Sequence, residues 1–174
     1  MLSVDYLINL YLVKLCARIL TLRGHDVTLY EKTGVLGGVF IPASNFDFKE
    51  NDRRLIEWYR NQIKNLKIKV KLNTEITDLT KIKADEIVIA TGAKARRLRM
   101  PGAERCIDAV DYLNGKEVGK NVVIIGGGLT GCEIAYDLHR KGKKPVIVEA
   151  KQDLMAVRGL CLANSSYLRD YFKA

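Results

Sequence analysis

Asn121 to Ile125 is a short run of mostly β-branched apolar residues, the pattern of a strand buried on both faces in a parallel sheet. The stretch GGGLTG interrupts it. Beyond, Cys132, Ile134, Ala135 and Leu138 recur among polar residues, which predicts a helix starting near Leu129, ending near Lys141 and capped by Gly142. Val146 to Val148 predicts a second buried strand with Glu149 at its end. Upstream, Val27 to Tyr30 predicts a strand behind Gly24, and Leu55, Ile56, Tyr59, Ile63 and Leu66 line one face of a helix over 52–66. Residues 68–72 alternate with lysine as a strand does, and Glu86 to Ala90 is another buried strand, stopped by Thr91 and Gly92. A last helix is expected over 164–172. At the N-terminus, Val4, Leu7, Ile8, Tyr11, Leu12, Leu15, Ile19 and Leu22 recur at three- and four-residue spacing, with no Gly or Pro between Met1 and Arg23. This predicts that the first twenty-two residues are mainly one amphipathic helix; the competing reading is that Ser3 to Leu7 still adds a strand, because tertiary context can override local propensity.

Alternating strands and helices place the chain in the α/β class, with Rossmann-like parallel sheets. The chain also repeats itself. RGHDVTLYEK aligns without a gap on KGKKPVIVEAK, so that Gly24 matches Gly142, Glu31 matches Glu149, Ala17 matches Ala135 and Leu20 matches Leu138, each at an offset of 118. Two incomplete nucleotide-binding units follow, over 1–104 and 105–174.

The second unit carries chemistry. Gly126-x-Gly128-x-x-Gly131 follows a predicted strand and opens a predicted helix. The first glycine makes the tight turn, the second lets backbone approach a pyrophosphate, and the third lets helix and strand pack closely. Leu129 and Thr130 fill the two open positions, where the free N–H groups of the helix N-terminus face the phosphates. Glu149 is placed to accept hydrogen bonds from a ribose 2′-OH, and its charge opposes a 2′-phosphate, so NAD (as NADH) is expected over NADP. The same offset puts Ile8, Leu10 and Val13 where the first unit needs glycines. FAD is therefore expected to bind there weakly or not at all.

Composition adds limits. The net charge of +9 is spread through lysine-rich segments such as NQIKNLKIKVKLN without interleaved aromatics, and no nucleic-acid motif is present. No apolar run is long enough to span a bilayer, and Leu7 to Leu15 lacks the basic start of a signal peptide. A cytoplasmic location with a dinucleotide as partner, and no nucleic acid or membrane, is the expectation. Cys16, Cys106, Cys132 and Cys161 are widely separated, and His25 and His139 are isolated, so no redox pair or metal site is written locally. Cys132 opens the helix after the glycines and is expected to be a small packing residue.

The pair of units, with GVLGG after the first and IVIATGAKARRLRMPG before the second, resembles the flavoprotein pyridine-nucleotide oxidoreductases. LRGHDVTLYEK, GVLGG and ATGA are most similar to the C-terminal FAD/NAD(P)-binding region of the NADH:flavin oxidoreductases. That group includes enoate reductases, 2,4-dienoyl-CoA reductases and trimethylamine dehydrogenase. The resemblance implies FAD on the first unit, NAD(P)H on the second, and hydride passing from nicotinamide to flavin. It implies that Glu31 binds the adenosine ribose of FAD, that Gly37 and Gly38 let backbone approach that cofactor, and that Thr91 and Gly92 end a strand beside it. The expected function is thus that of a fragment of an FAD/NADH-dependent oxidoreductase, inactive by itself, with no candidate catalytic residue. The alternative is a non-catalytic remnant serving as a nucleotide-binding or interaction domain. Open sheet edges would invite a second copy or the missing domains.

Overall fold

The computed structural model describes residues 3–8, 11–95, 98–156 and 159–173; of residues 4–8 and 11–14 it describes the backbone alone. Two compact units divide the chain, Met1–Ala103 and Glu104–Ala174.

In the first unit, β1 (Ser3–Ile8), α1 (Tyr11–Leu22) and β2 (Asp26–Tyr30) are followed by the short α2 (Phe40–Ala43), α3 (Glu50–Asn65), β3 (Lys69–Lys71) and β4 (Glu86–Ala90). The four strands form one parallel sheet in the order β3-β2-β1-β4. The predicted N-terminal helix is therefore wrong in its first third: residues 3–8 are the sheet's second interior strand, and the helix begins at Tyr11. Periodicity could not separate the two, because Val4, Leu7 and Ile8 fit a helical face as well as a strand. Pairing on both sides decides it, with Val4 opposite Val27 on β2 and opposite Glu86 on β4. The strand's first residue is held as well: Asp85 N–H donates to the Ser3 carbonyl at 2.9 Å, and Ser3 N–H donates to the Asp85 carboxylate at 2.6 Å. Ala17, Val27, Leu29, Leu36, Ile63 and Ile68 form the core between the sheet, α1 and α3.

In the second unit, α4 (Ala109–Leu113) precedes β5 (Asn121–Ile125), α5 (Leu129–Arg140), β6 (Lys144–Val148) and α6 (Leu162–Lys173). The strands β5 and β6 pair in parallel, and α5 begins at Leu129 as the sequence predicts. Cys132, Met155 and Leu168 are buried together under α5 and α6.

A shift of 118 carries α5 onto α1 and β6 onto β2 without adjustment, and the pairing Asn121↔Lys144 falls on Ser3↔Asp26. Ala135 and Ala17, repeat partners, are both buried, because each lets its helix lie close on its strand. Among the described residues of these elements, the end of the first strand differs. At Gly126 the backbone turns with φ +110°, whereas its counterpart Ile8 is still in β1 and opposite Ala90. A β-branched residue resists positive φ, so the strand runs one residue further.

The expectation that β4, β5 and β6 are buried on both faces is corrected. Alternate residues of β5 and β6 are open: Val123 is 66% exposed, Ile125 49%, Val146 58% and Val148 53%. Ile89 on β4 is 59% exposed. Their composition suits two-sided burial, but among the described residues helices cover one face alone.

Candidate functional site

The glycine turn of the second unit is constrained at each of its glycines. Gly126 N–H donates to the Val148 carbonyl at 2.9 Å, extending the β5–β6 ladder by one step as the chain turns. Gly127 N–H donates to Glu149 Oε2 at 2.6 Å, and Lys151 N–H donates to Glu149 Oε1 at 2.8 Å. Gly128 caps α5 with an extended backbone (φ −70°, ψ 179°), its carbonyl accepting from Cys132 N–H at 3.0 Å. Leu129, Thr130 and Gly131 precede that first intrahelical bond, so their amides are the free donors of the helix start. Gly131 packs against the turn itself, where an added Cβ would lie 2.0 Å from the Gly126 carbonyl oxygen.

Glu149 thus stands at the carboxyl end of β6 and faces the turn. The backbone amides of Lys151 and then Gly127 hold its carboxyl below the usual carboxylate range, so it is ionised at neutral pH. Each oxygen retains a lone pair beyond the bond it already accepts.

Gly127 was the unassigned position of the motif. It is closely packed: a Cβ there would meet Leu154 Cδ2 at 2.5 Å and Glu149 Cβ at 3.1 Å, so the Leu154 side chain would have to shift. Its carbonyl accepts from Met155 N–H at 2.7 Å. The segment after β6 therefore straps across the turn, which no local sequence signal announces. Gly128 is the opposite case, with nothing within 4 Å of an added Cβ. The motif's glycines thus differ in what requires them: the positive φ of Gly126 and the close packing of Gly131 are demands of the protein itself, whereas Gly128 has an ordinary backbone and faces open space.

Cys132 is fully buried in the first turn of α5, and its thiol contacts the Gly127 carbonyl at 3.5 Å. Burial pushes its pKa up to about 11, which overrides the helix N-terminus and leaves a protonated packing residue. Two further acids were not anticipated. Glu133 and Asp137 are buried on α5, and Asp137 accepts from the Tyr112 hydroxyl at 2.5 Å and from Lys141 Nζ at 2.8 Å, tying α4 to α5.

In the first unit, Glu31 is 1% exposed at the end of β2. Oε1 accepts from both the N–H and the hydroxyl of Thr33 at 2.8 Å, as Glu149 accepts from the residue two further on. Oε2 is buried and has no hydrogen-bond partner among the described residues. Its counterpart on Glu149 takes the Gly127 amide; the repeat equivalent of Gly127 is Asn9, which lies outside the described residues, as does Leu10. Gly37 has φ +149°, and an added Cβ would meet Ile41 Cγ1 at 2.5 Å, so its own helix already requires glycine there. Gly38 is left-handed with φ +50°. Thr91 and Gly92 are exposed just beyond β4, Gly92 with φ +74°. Among the described residues no group of three or more His, Cys, Asp and Glu could hold a metal ion, and no helix is long and apolar enough to cross a membrane.

A strand, glycine turn, helix and acid-ended strand in this geometry have the arrangement of a Rossmann-like βαβ unit, and comparison with known proteins fixes the family. The model of the pyridine nucleotide-disulphide oxidoreductases matches residues 15–174. The chain belongs to that family. Within it, the chain is 44% identical over 161 residues to a cinnamate reductase of Clostridium sporogenes, covering 90% of this chain and 24% of that protein. It is 34% identical over 141 residues to an NADH oxidase of Thermoanaerobacter brockii, covering 76% of this chain and 22% of that one. A solved 2-naphthoyl-CoA reductase superposes with a TM-score of 0.84 at 29% identity, over 99% of this chain and 27% of that one. Histamine dehydrogenase of Rhizobium sp. 4-9 shares the fold, with a TM-score of 0.75 at 19% identity over 98% of this chain and 27% of that chain. The chain corresponds to the FAD/NAD(P)-binding region of the NADH:flavin oxidoreductases, and it spans about a quarter of the length of the relatives it matches.

Proposed function

We propose that the second unit binds NADH and that the chain is the electron-entry region of an oxidoreductase in which hydride passes from NADH to flavin. The observation that carries this reading is the open space over Gly128, beside the free amides of α5 and the ionised Glu149. Those groups fit a dinucleotide: the amides of Leu129, Thr130 and Gly131 suit a pyrophosphate, and the spare lone pairs of Glu149 suit a ribose diol. When bound, NADH supplies a hydride and flavin accepts it. What this chain contributes is binding and orientation.

For the first unit, Glu31 Oε2, buried and without a donor among the described residues, fits a ribose hydroxyl of FAD, since a buried carboxylate oxygen without a donor is costly to keep. Against tight binding stand Ile8 and Val13 in place of glycines. They favour the second reading, a dinucleotide-binding domain without turnover. A purified protein that is yellow and bleaches with NADH would support the first reading. A colourless protein that still binds NADH would support the second.

Cofactor preference tests the site directly. NADH is expected to bind more tightly than NADPH, because Glu149 repels a 2′-phosphate. Glu149→Gln keeps an acceptor for the Gly127 amide and removes the charge. It is expected to weaken NADH about tenfold and to narrow the gap to NADPH. Titration by nicotinamide fluorescence checks it, and equal or tighter NADPH binding to the unmodified protein would sink the assignment.

A further inference from the structure

Arg169, on α6, reaches the strap with both ends of its guanidinium. Nη1 donates to Asp153 Oδ2 at 2.7 Å, and Nη2 donates to the Leu154 carbonyl at 2.5 Å. The hydrogen bond from Arg169 holds the Asp153 carboxyl below its usual range, so the pair is charged at neutral pH. The next residue, Met155, is 3% exposed and sits at φ +53°, an unusual conformation for a side-chain-bearing residue that survives only where its surroundings over-determine it. Met155 N–H is what pins the Gly127 carbonyl, at 2.7 Å.

A consequence follows at Gly128. The peptide joining Gly127 to Gly128 is planar and trans, so its C=O and N–H point opposite ways. With the carbonyl turned toward Met155, the Gly128 N–H is aimed away from the strap. We propose that Arg169 is a positioning residue for dinucleotide binding: by holding Asp153 and Leu154 it fixes the strap, and the strap aims the Gly128 amide at the pyrophosphate. This rests on the dinucleotide reading of the second unit.

The first unit carries the same contact independently. The shift of 118 carries Leu154 onto Leu36. The Leu36 carbonyl accepts from Arg60 on α3, from Nε at 3.1 Å and Nη2 at 2.9 Å. The residue after it, Gly37, also has positive φ. Arg60 and Arg169 are not repeat partners, so an arginine reaches the same carbonyl from two different helix positions. Their common element is the loop that follows the acid-ended strand.

The test uses the whole chain. Arg169→Met is expected to weaken NADH binding about tenfold while the protein stays folded. Arg169→Lys is expected to restore part of it, since one ammonium cannot fork between a carboxylate and a carbonyl as a guanidinium does. Amide hydrogen exchange distinguishes positioning from general support: the Met155 and Gly127 amides should exchange faster in Arg169→Met, while those of α5 and α6 keep their protection. If Arg169→Met does not fold, Asp153→Asn decides, with a few-fold loss of NADH affinity expected. Faster exchange at Met155 with unchanged NADH affinity would overturn the proposal, as would unchanged exchange and affinity in Asp153→Asn. If the unmodified protein does not bind NADH, the dinucleotide reading itself fails, and that is seen before any substitution is made.

Discussion

Gly131→Ala is expected to cost about 3 kcal/mol or more of the second unit's stability and to abolish dinucleotide binding with it. The new methyl would stand 2.0 Å from the Gly126 carbonyl oxygen, 3.2 Å from its carbon and 3.4 Å from Ile124 Cγ2. Two of these atoms are backbone, so no side chain can swing aside to make room. Relief requires α5 to move off β5, which undoes the packing of Cys132, Ala135 and Leu138 that forms this unit's interior. A small domain has a total stability of roughly 5 kcal/mol, so such a loss leaves it largely unfolded. Urea denaturation followed by circular dichroism checks it; a midpoint within error of the unmodified protein would show that the helix tolerates the shift.

Gly128→Ala is expected to do the reverse. Its backbone is already in a conformation open to any residue, and nothing lies within 4 Å of the added methyl. Stability should change by less than about 1 kcal/mol, the scale of an altered helix cap. NADH binding should nevertheless weaken by more than about tenfold, because the methyl occupies the space that a pyrophosphate needs in order to reach the amides. The two substitutions, three residues apart in one motif, thus separate glycines kept for packing from a glycine kept for a ligand. Equal affinity of Gly128→Ala and the unmodified protein for NADH would remove the ligand from the explanation of Gly128.

Much of the second unit was legible in the sequence because its signals are local. Gly126, Gly128 and Gly131 are close enough together to state a turn and a helix start, and Glu149 marks a strand end. The offset of 118, drawn from a few matched residues, carried the first unit's helix and second strand to their places. The N-terminal strand was legible in that offset, which carries Asn121 onto Ser3, but not in the local pattern. Val4, Leu7 and Ile8 fit a helical face as well as a strand, and the deciding contacts, to β2 and β4, come from residues more than twenty positions away. The strap was hidden for a similar reason. Nothing in QDLMA announces that Met155 will turn back onto Gly127, and the arginine that holds it comes from the next helix. The burial of Asp137 was hidden by its helix: Lys141 stands four residues on in the chain, but only the packing of α4 brings the Tyr112 hydroxyl to it.

The bare side of the β5–β6 ribbon governs how this protein behaves as a colloid. Val123 opposite Val146 and Ile125 opposite Val148 make a flat, branched, uncharged surface, the kind that adheres to its own image. The net charge of +9 opposes that association. That repulsion reaches only about 10 Å in 0.1 M salt and less beyond it, whereas sulfate strengthens the attraction between apolar surfaces. The protein should therefore stay dispersed in dilute buffer and cluster as sodium sulfate is added, with light scattering rising well before any loss of helical signal. Val123→Lys together with Val146→Glu should move that threshold to higher salt without touching the glycine turn on the strands' far end.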